Sequence, residues 1–341
     1  MQRETWLIYA LGGGWGHACR ALALGRVAAR KHNIIILTNS PYASWVDSES
    51  CQIITIPPNL TQCSAIAQIL EVLSTLTYDC LLVDTFPRGL LGELATFLPR
   101  LVSTPRILIH RDLNPNYVTA KQLPEFVSRY YDLVIAVEPR KLPLSDLPIT
   151  RQTSPWLLRS ASELPSPETA RSRLQLISEK KLILVLASGR PEEQSLYGHL
   201  THTLAKSEPD YDIHCLSAVI PPTCPPDLWR FYFPALECLC AAHLVIGSGG
   251  YNTVYECIAL GIPLIAFPFP RLYDRQRDRL QQVNHRIIAV DKIEVAIAVA
   301  HHWLNDPSFL PPSYPPEYPN GVFTAIKEIE TLITQKRIIC G

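Results

Sequence analysis

The residues best placed for chemistry lie in glycine-rich turns. The first turn, Leu11-Gly12-Gly13-Gly14-Trp15-Gly16-His17-Ala18-Cys19-Arg20, follows an apolar run and enters a helical pattern near His17. Glycine lets a backbone turn sharply and approach a ligand, and free N–H groups at a helix start favour an anion. A dinucleotide site does not fit the spacing. No Gly-x-Gly-x-x-Gly can be drawn, because its third position falls on His17 or Cys19, and Leu37-Thr38-Asn39 offers no acidic residue to a ribose. A histidine at a helix N-terminus is kept neutral by the helix dipole, which suits a general base for a hydroxyl. Its other reading is a helix cap or a packed turn residue. Arg20, one turn on, reads as an anion contact or a solvated helix residue. Asp84 and Asp112 lie where two strand candidates give way to loops, and either is expected to orient His17 or serve in its place.

A second turn runs Gly247-Ser248-Gly249-Gly250-Tyr251-Asn252-Thr253 into a helix carrying Glu256. It predicts an anion cradle, with Ser248, Asn252 and Thr253 as donors or caps. Glu256 reads as a partner for a ribose diol or as compensation for the helix dipole. A third turn, Ser188-Gly189-Arg190, offers a guanidinium to a diphosphate. Asp274 and Gln276 follow another strand candidate and suit hydroxyl groups, while Arg271, Arg275, Arg277 and Arg279 read as a solvated face. Two cradles in the second half suit a diphosphate, and a base in the first half suits attack on what it carries.

These residues need a frame of strands ending at a common edge. Candidates in the first half are Trp6–Ala10, Ile34–Thr38, Ile53–Ile56, Cys80–Asp84, Arg106–His110 and Leu133–Val137. In the second half they are Leu182–Ala187, Ile213–Ala218, Leu244–Gly247, Leu264–Phe267 and Ile287–Val290. Several are continuous apolar runs, as expected of strands covered on both faces, and helical patterns such as His17–Lys31 separate them. The expected fold is α/β: two Rossmann-like, doubly wound parallel-sheet domains facing each other across a cleft. A (β/α)₈ barrel fits the glycine turns less well. The boundaries are read as 1–150, 151–318 and a terminal helix segment at 319–341. The segment Arg140–Ser178 shows no strong strand signal and reads as a connector with one helix, Ser166–Ile177. Pro221–Pro226 reads as a rigid loop. Proline-rich Pro307–Pro319 precedes an amphipathic helix over Val322–Thr334.

Composition narrows the function classes. The 341 residues exceed what one core usually supports. Lys+Arg and Asp+Glu both number 31, so no bulk basic field recruits nucleic acid or an anionic membrane. No run approaches a membrane span, and the start lacks a signal-peptide pattern. The ten scattered cysteines show neither a zinc pattern nor a disulfide framework, which implies buried thiols in a reducing cytoplasm.

Gly-Gly-x-Gly-His near the start, paired with Gly-Ser-Gly-Gly-Tyr-Asn-Thr-x-x-Glu in the second half, resembles the GT-B glycosyltransferases. The nearest likeness is to family 28, the family of the peptidoglycan N-acetylglucosaminyltransferase. Segments 84–94 and Arg111-Asp112 resemble a bacterial group of predicted glycosyltransferases. The resemblance implies inverting transfer from a nucleotide-diphosphate sugar, usually UDP-linked, with no cofactor and no metal-binding Asp-x-Asp. It implies diphosphate binding by Gly247–Thr253, ribose binding by Glu256 and donor-sugar contact by Asp274 and Gln276. The loop of Gly13, Gly14, Trp15, Gly16 and Arg20 would face the acceptor, and the terminal helix would return to the first domain. Trp15 stands where the pattern usually has a small or polar residue, and Arg277 follows Gln276, which leaves donor sugar and acceptor open. The acceptor is read as lipid-linked or a small molecule, with Trp15, Trp45 and Phe86 offering it apolar surface, and the enzyme as cytoplasmic or peripheral to the inner membrane face. His17-x-x-Arg20 also resembles a sugar-nucleotide hydrolase of the same fold. A non-enzymatic nucleotide-sugar-binding scaffold is a third reading.

Overall fold

Runs such as Trp-Leu-Ile-Tyr-Ala and Cys-Leu-Leu-Val-Asp carry apolar side chains at consecutive positions, so as strands they must be covered on both faces. The computed structural model, which describes residues 3–45, 50–283, 286–306 and 316–340, shows that arrangement twice. The chain divides into one unit of residues 1–158 and 319–341 and another of residues 159–318.

In the first unit β1 (Thr5–Ala10), β2 (Asn33–Thr38), β3 (Gln52–Thr55), β4 (Cys80–Asp84), β5 (Arg106–His110), β6 (Leu133–Ala136) and β7 (Thr150–Gln152) form one sheet. Its order is β3-β2-β1-β4-β5-β6-β7, and every pairing is parallel. Leu7, Ile8, Leu81 and Leu82 at its centre are fully buried. Helices α1 (Gly14–Ala28), α2 (Gln62–Thr75), α3 (Leu94–Phe97), α4 (Pro115–Ala120) and α5 (Leu123–Tyr130) connect the strands. The order reverses between β1 and β4, the place where open α/β sheets put their ligands. Residues following β1 and ending β4 therefore meet.

The second unit repeats the plan. Strands β8 (Leu182–Leu186), β9 (Asp212–Leu216), β10 (Trp229–Arg230), β11 (Ala242–Ser248), β12 (Leu264–Phe267) and β13 (Ile287–Ala289) lie in the order β10-β9-β8-β11-β12-β13, again all parallel. Its helices are α6 (Pro167–Arg173), α7 (Pro191–Ser207), α8 (Ala235–Leu239), α9 (Tyr251–Leu260), α10 (Gln276–Gln281) and α11 (Ile293–Asn305). The reversal falls between β8 and β11.

Several expectations need correction. β7 lies inside the segment read as strand-free: its Thr-Arg-Gln side chains are largely exposed and carry no apolar signal, so backbone pairing to β6 alone defines it. Because β7 extends the first sheet, the chain leaves that unit after Leu158 rather than at 150. Two-residue β10 was also not anticipated. Helix α1 starts at Gly14, a turn earlier than His17, with Gly13 as its N-cap. Helix α6 ends at Arg173, short of Ile177. The proline-rich stretch at 307–315 lies outside the described residues.

The last helix, α12 (Val322–Cys340), belongs to the first unit and runs beyond the expected Thr334. Val322, Ala325, Ile329 and Ile333 form its buried stripe. Glu330 meets Lys31 and His32 at 3.3 and 3.1 Å, Lys336 meets Asp132 at 2.8 Å, and Arg337 meets Glu4 at 2.7 Å. Among the described residues no helix is long and apolar enough to cross a membrane.

Candidate active site

At the β1/β4 edge of the first unit, His17 and Asp84 meet. His17 Nδ1 lies 2.5 Å from Asp84 Oδ2, and Asp84 is fully buried. Arg20, on the next turn of α1, forks onto the same carboxylate: Nε donates to Oδ1 at 2.9 Å and Nη2 to Oδ2 at 2.8 Å. Burial alone would raise the Asp84 carboxyl, but Arg20 and His17 hold it well below the usual carboxylate range. An ionised carboxylate only accepts, so Nδ1 carries the proton and donates it. The Nε2 lone pair is left as the proton acceptor. Burial lowers the His17 imidazole, against the pull of Asp84 and with help from Arg20 and Arg111. The balance favours the neutral ring.

The surroundings fix that ring. A Cβ on Gly12 would come within 2.3 Å of Nε2, so glycine is required where the imidazole crosses the turn. Phe86 stacks on the other side, its centroid 5.4 Å away. Thr85 has φ +72°, an uncommon conformation for a β-branched residue, and its hydroxyl joins the cluster. It accepts from Arg20 Nη2 at 3.2 Å and Arg111 Nε at 3.3 Å and donates to Asp84 at 3.2 Å. The loop after β4 is tied down by Tyr9 and Glu93. Tyr9 donates to the Glu93 carboxylate and accepts from Leu90 N–H, while Leu91 N–H donates to Glu93 at 2.9 Å.

The glycine turn is less open to an anion than its sequence suggests. Asn39 Oδ1 accepts the N–H groups of Gly12 and Gly13 at 2.9 and 2.8 Å. Added Cβ atoms on Gly13 and Gly14 would meet nothing, and Gly16 is half-buried in the first turn of α1. Trp15 stacks on Tyr42 at 4.2 Å with Trp45 beside both. The solvated reading of Arg20 is overturned: it is buried at 2% exposure, and the anion it contacts is the Asp84 carboxylate. Asp112 joins a different cluster. Its carboxylate lies 3.0 Å from Arg140 in an ion pair not aligned as a hydrogen bond, and its N–H donates to Glu138. Of the two candidate aspartates, Asp84 is the one bonded to His17.

In the second unit, β8, β11 and β12 are neighbours, so their following loops share one edge. Helix α9 begins at Tyr251 with Gly250 as N-cap and no side-chain cap. Its first internal bond runs from Val254 N–H to Gly250 O, and Asn252 and Thr253 occupy the preceding turn. Ser248 is spent on the turn itself, accepting Gly250 N–H at 3.4 Å. Gly247 packs against Thr253 and Gly249 against Leu280 and Gln276, with a Cβ on Gly249 coming within 2.9 Å of Leu280. Tyr251 is buried beside Tyr255. Glu256 makes no hydrogen bond among the described residues, and burial of its carboxyl pushes it up to about 7 although the residue as a whole is only half-buried.

The remaining candidates differ from expectation. Asp274 pairs with Arg279 at 2.7 Å, and the fully buried Arg279 also donates to Gly249 O at 3.0 Å. Asp274 thus braces the turn instead of presenting a free carboxylate. Gln276 is buried beside Gly249 with its Oε1 unpartnered. At the third turn, Ser188 is half-buried and Arg190 exposed, and Glu193 fills the space over Gly189 and accepts Arg190 N–H at 3.2 Å. Arg271 grips that carboxylate with contacts of 2.5 and 2.6 Å. The third cradle therefore already holds an internal anion. The four arginines do not form one solvated face: Arg279 is fully buried and Arg271 holds Glu193, whereas Arg277 is exposed and pairs with an exposed Asp291. Among the described residues no group of three or more His, Cys, Asp or Glu is placed to hold a metal.

The two-unit fold is shared with solved glycosyltransferases. The calicheamicin glycosyltransferase CalG4 superposes with a TM-score of 0.60 at 16% identity, covering 98% of this chain and 99% of its own. Acinetobacter baumannii MurG gives 0.58 at 14%, covering 96% and 99%. The spinosyn rhamnosyltransferase SpnG, complexed with thymidine diphosphate, gives 0.58 at 15%, covering 99% and 100%. No curated protein matches the sequence. Residues 227–298, which span β10 to α11 and hold the α9 turn, match the glycosyltransferase family 28 C-terminal domain. The chain has the two-unit GT-B fold of these solved structures, and its residues 227–298 carry the likeness to the family 28 C-terminal domain.

The residues missed from sequence are the supporting ones: Asn39, Thr85, Glu93, Glu193 and Arg279. Arg279 had no signal, since it sits on the six-residue helix α10, too short for its pattern to show a buried face. Thr85 and Glu93 had none, because their roles depend on a left-handed backbone and a folded loop.

Proposed function

We propose that this protein is a glycosyltransferase that moves a sugar from a nucleoside-diphosphate donor to an acceptor hydroxyl by a single inverting displacement, without a metal ion. The observation that carries the reading is the His17–Asp84 pair, in which a buried, ionised carboxylate leaves Nε2 as base. Nε2 removes the acceptor proton as the acceptor oxygen bonds to the anomeric carbon. The bond from that carbon to the diphosphate oxygen breaks, and the nucleoside diphosphate departs. The departing charge meets the uncapped N-terminus of α9, where backbone N–H groups and the helix dipole supply stabilisation otherwise given by a cation. Glu256, unpaired on the same helix, is proposed to accept from the ribose hydroxyls, and Gln276 to bond the donor sugar. A pyrimidine diphosphate sugar, UDP-linked, is the proposed donor. The thymidine diphosphate bound to SpnG, which shares this fold, supports a pyrimidine nucleotide in the donor.

The test is donor turnover with a panel of UDP- and dTDP-sugars and candidate acceptors in the presence of EDTA, with the anomeric configuration of the product read by NMR. An inverted glycoside that disappears in His17→Ala supports the proposal. Retained configuration contradicts it. Release of free sugar irrespective of acceptor assigns the same base to water and makes the enzyme a hydrolase.

A further inference from the structure

Arg20 is too buried to greet a substrate, and its fork is spent on a carboxylate already bonded to His17. Its Nη2 also lies 3.5 Å from His17 Nδ1. We propose that Arg20 is a positioning residue of this site: it fixes Asp84 as the carboxylate that orients His17 and holds the imidazole in its neutral, proton-accepting state. The inference rests on reading His17 as the base.

The charged groups facing His17 come from three elements: Arg20 on α1, Asp84 at the end of β4 and Arg111 after β5. Thr85 Oγ1 links the two guanidiniums and the carboxylate. With Arg20 present, the Asp84 charge is already met by a bidentate cation, and a second cation on His17 would be repelled by both arginines. Asp84 can then accept the Nδ1 proton without drawing a further proton onto Nε2. Without Arg20, the nearest cation available to a buried Asp84 is an imidazolium. The pair would become an ion pair, and the base would be lost at neutral pH.

The test is an NMR titration of the full chain with ¹³C-labelled histidine, the His17 signal being identified by its loss in His17→Gln. Arg20→Met should raise the His17 midpoint by about one pH unit or more. Arg20→Lys, which keeps the charge, should stay near the wild type. In the Asp84→Asn background no buried carboxylate is stranded, so a folded protein is retained for comparison. There, adding Arg20→Met should again raise the midpoint by removing a repelling neighbour. A midpoint that is unchanged or lowered in both backgrounds overturns the proposal, whereas a purely structural role would leave it where it was. The titration reads protonation and not turnover. An active His17→Ala would therefore sink the base assignment without altering this result.

Discussion

At His17 the account makes its sharpest demands. Replacing the imidazole by alanine should cut the turnover rate by about 10²–10⁴-fold while leaving donor affinity near wild type, as measured by steady-state kinetics beside calorimetric titration. Equal turnover would remove His17 from the mechanism. Gly12→Ala should be nearly as damaging, since its Cβ would fall 2.3 Å from Nε2 at a backbone φ of +156°. The same kinetics, with circular dichroism showing an intact fold, would separate a displaced ring from a collapsed turn. His17 was legible in the sequence because it follows a strand and a glycine run. Its partner was legible only as one of two aspartates, because Asp84 and Asp112 both follow apolar strands, and only the reversal between β1 and β4 selects Asp84. Arg20 is not legible as a buried residue, because nothing one turn along a helix tells an anion contact from a solvated side chain until the opposing carboxylate is in place.

The next scale is the strand-to-helix turn. The α9 turn keeps its shape through Arg279, which neutralises Asp274 and holds Gly249 O. Arg279→Met should strand Asp274, whose side chain is only 10% exposed, at a cost of about 3–5 kcal/mol. Denaturant unfolding would measure it, and a loss below about 1 kcal/mol would show the pair to be dispensable. Double replacement with Asp274→Asn should recover much of the loss. Nothing in the spacing of four arginines marks one as fully buried, since α10 has only six residues and too short a pattern to show a face. The long apolar strands were readable from β-branched runs, and the exceptions were β7 and β10, whose pairing is a matter of backbone geometry alone.

Across the whole molecule, buried histidines tie stability to pH. His110 is fully buried, its Nε2 accepts Leu144 N–H at 3.2 Å, and burial lowers it to about 3 against the pull of Glu138. Burial also lowers His17, His214 and His243. Below about pH 6.5 the unfolded chain takes up protons that the folded chain refuses, so stability falls as pH falls. His110 alone contributes a slope of about 1.4 kcal/mol per pH unit between its ordinary value and about 3. Glu256, raised to about 7, opposes one histidine: its contribution is present below the ordinary carboxylate range and lost as pH rises to about 7. The net expectation is a melting temperature that drops from pH 6.5 to 5 and drops less in His110→Gln. A flat profile would contradict it.

The most direct test of the central claim is ligand-shift melting in EDTA against UDP-, dTDP-, GDP- and CMP-sugars, run on the wild type and on Glu256→Ala. A diphosphate sugar at 100 times its dissociation constant should stabilise the wild type by about 2.7 kcal/mol, and the same concentration should do measurably less for the variant. No response to any diphosphate sugar, or a response that requires added magnesium, would contradict a donor site built from the N-terminus of α9.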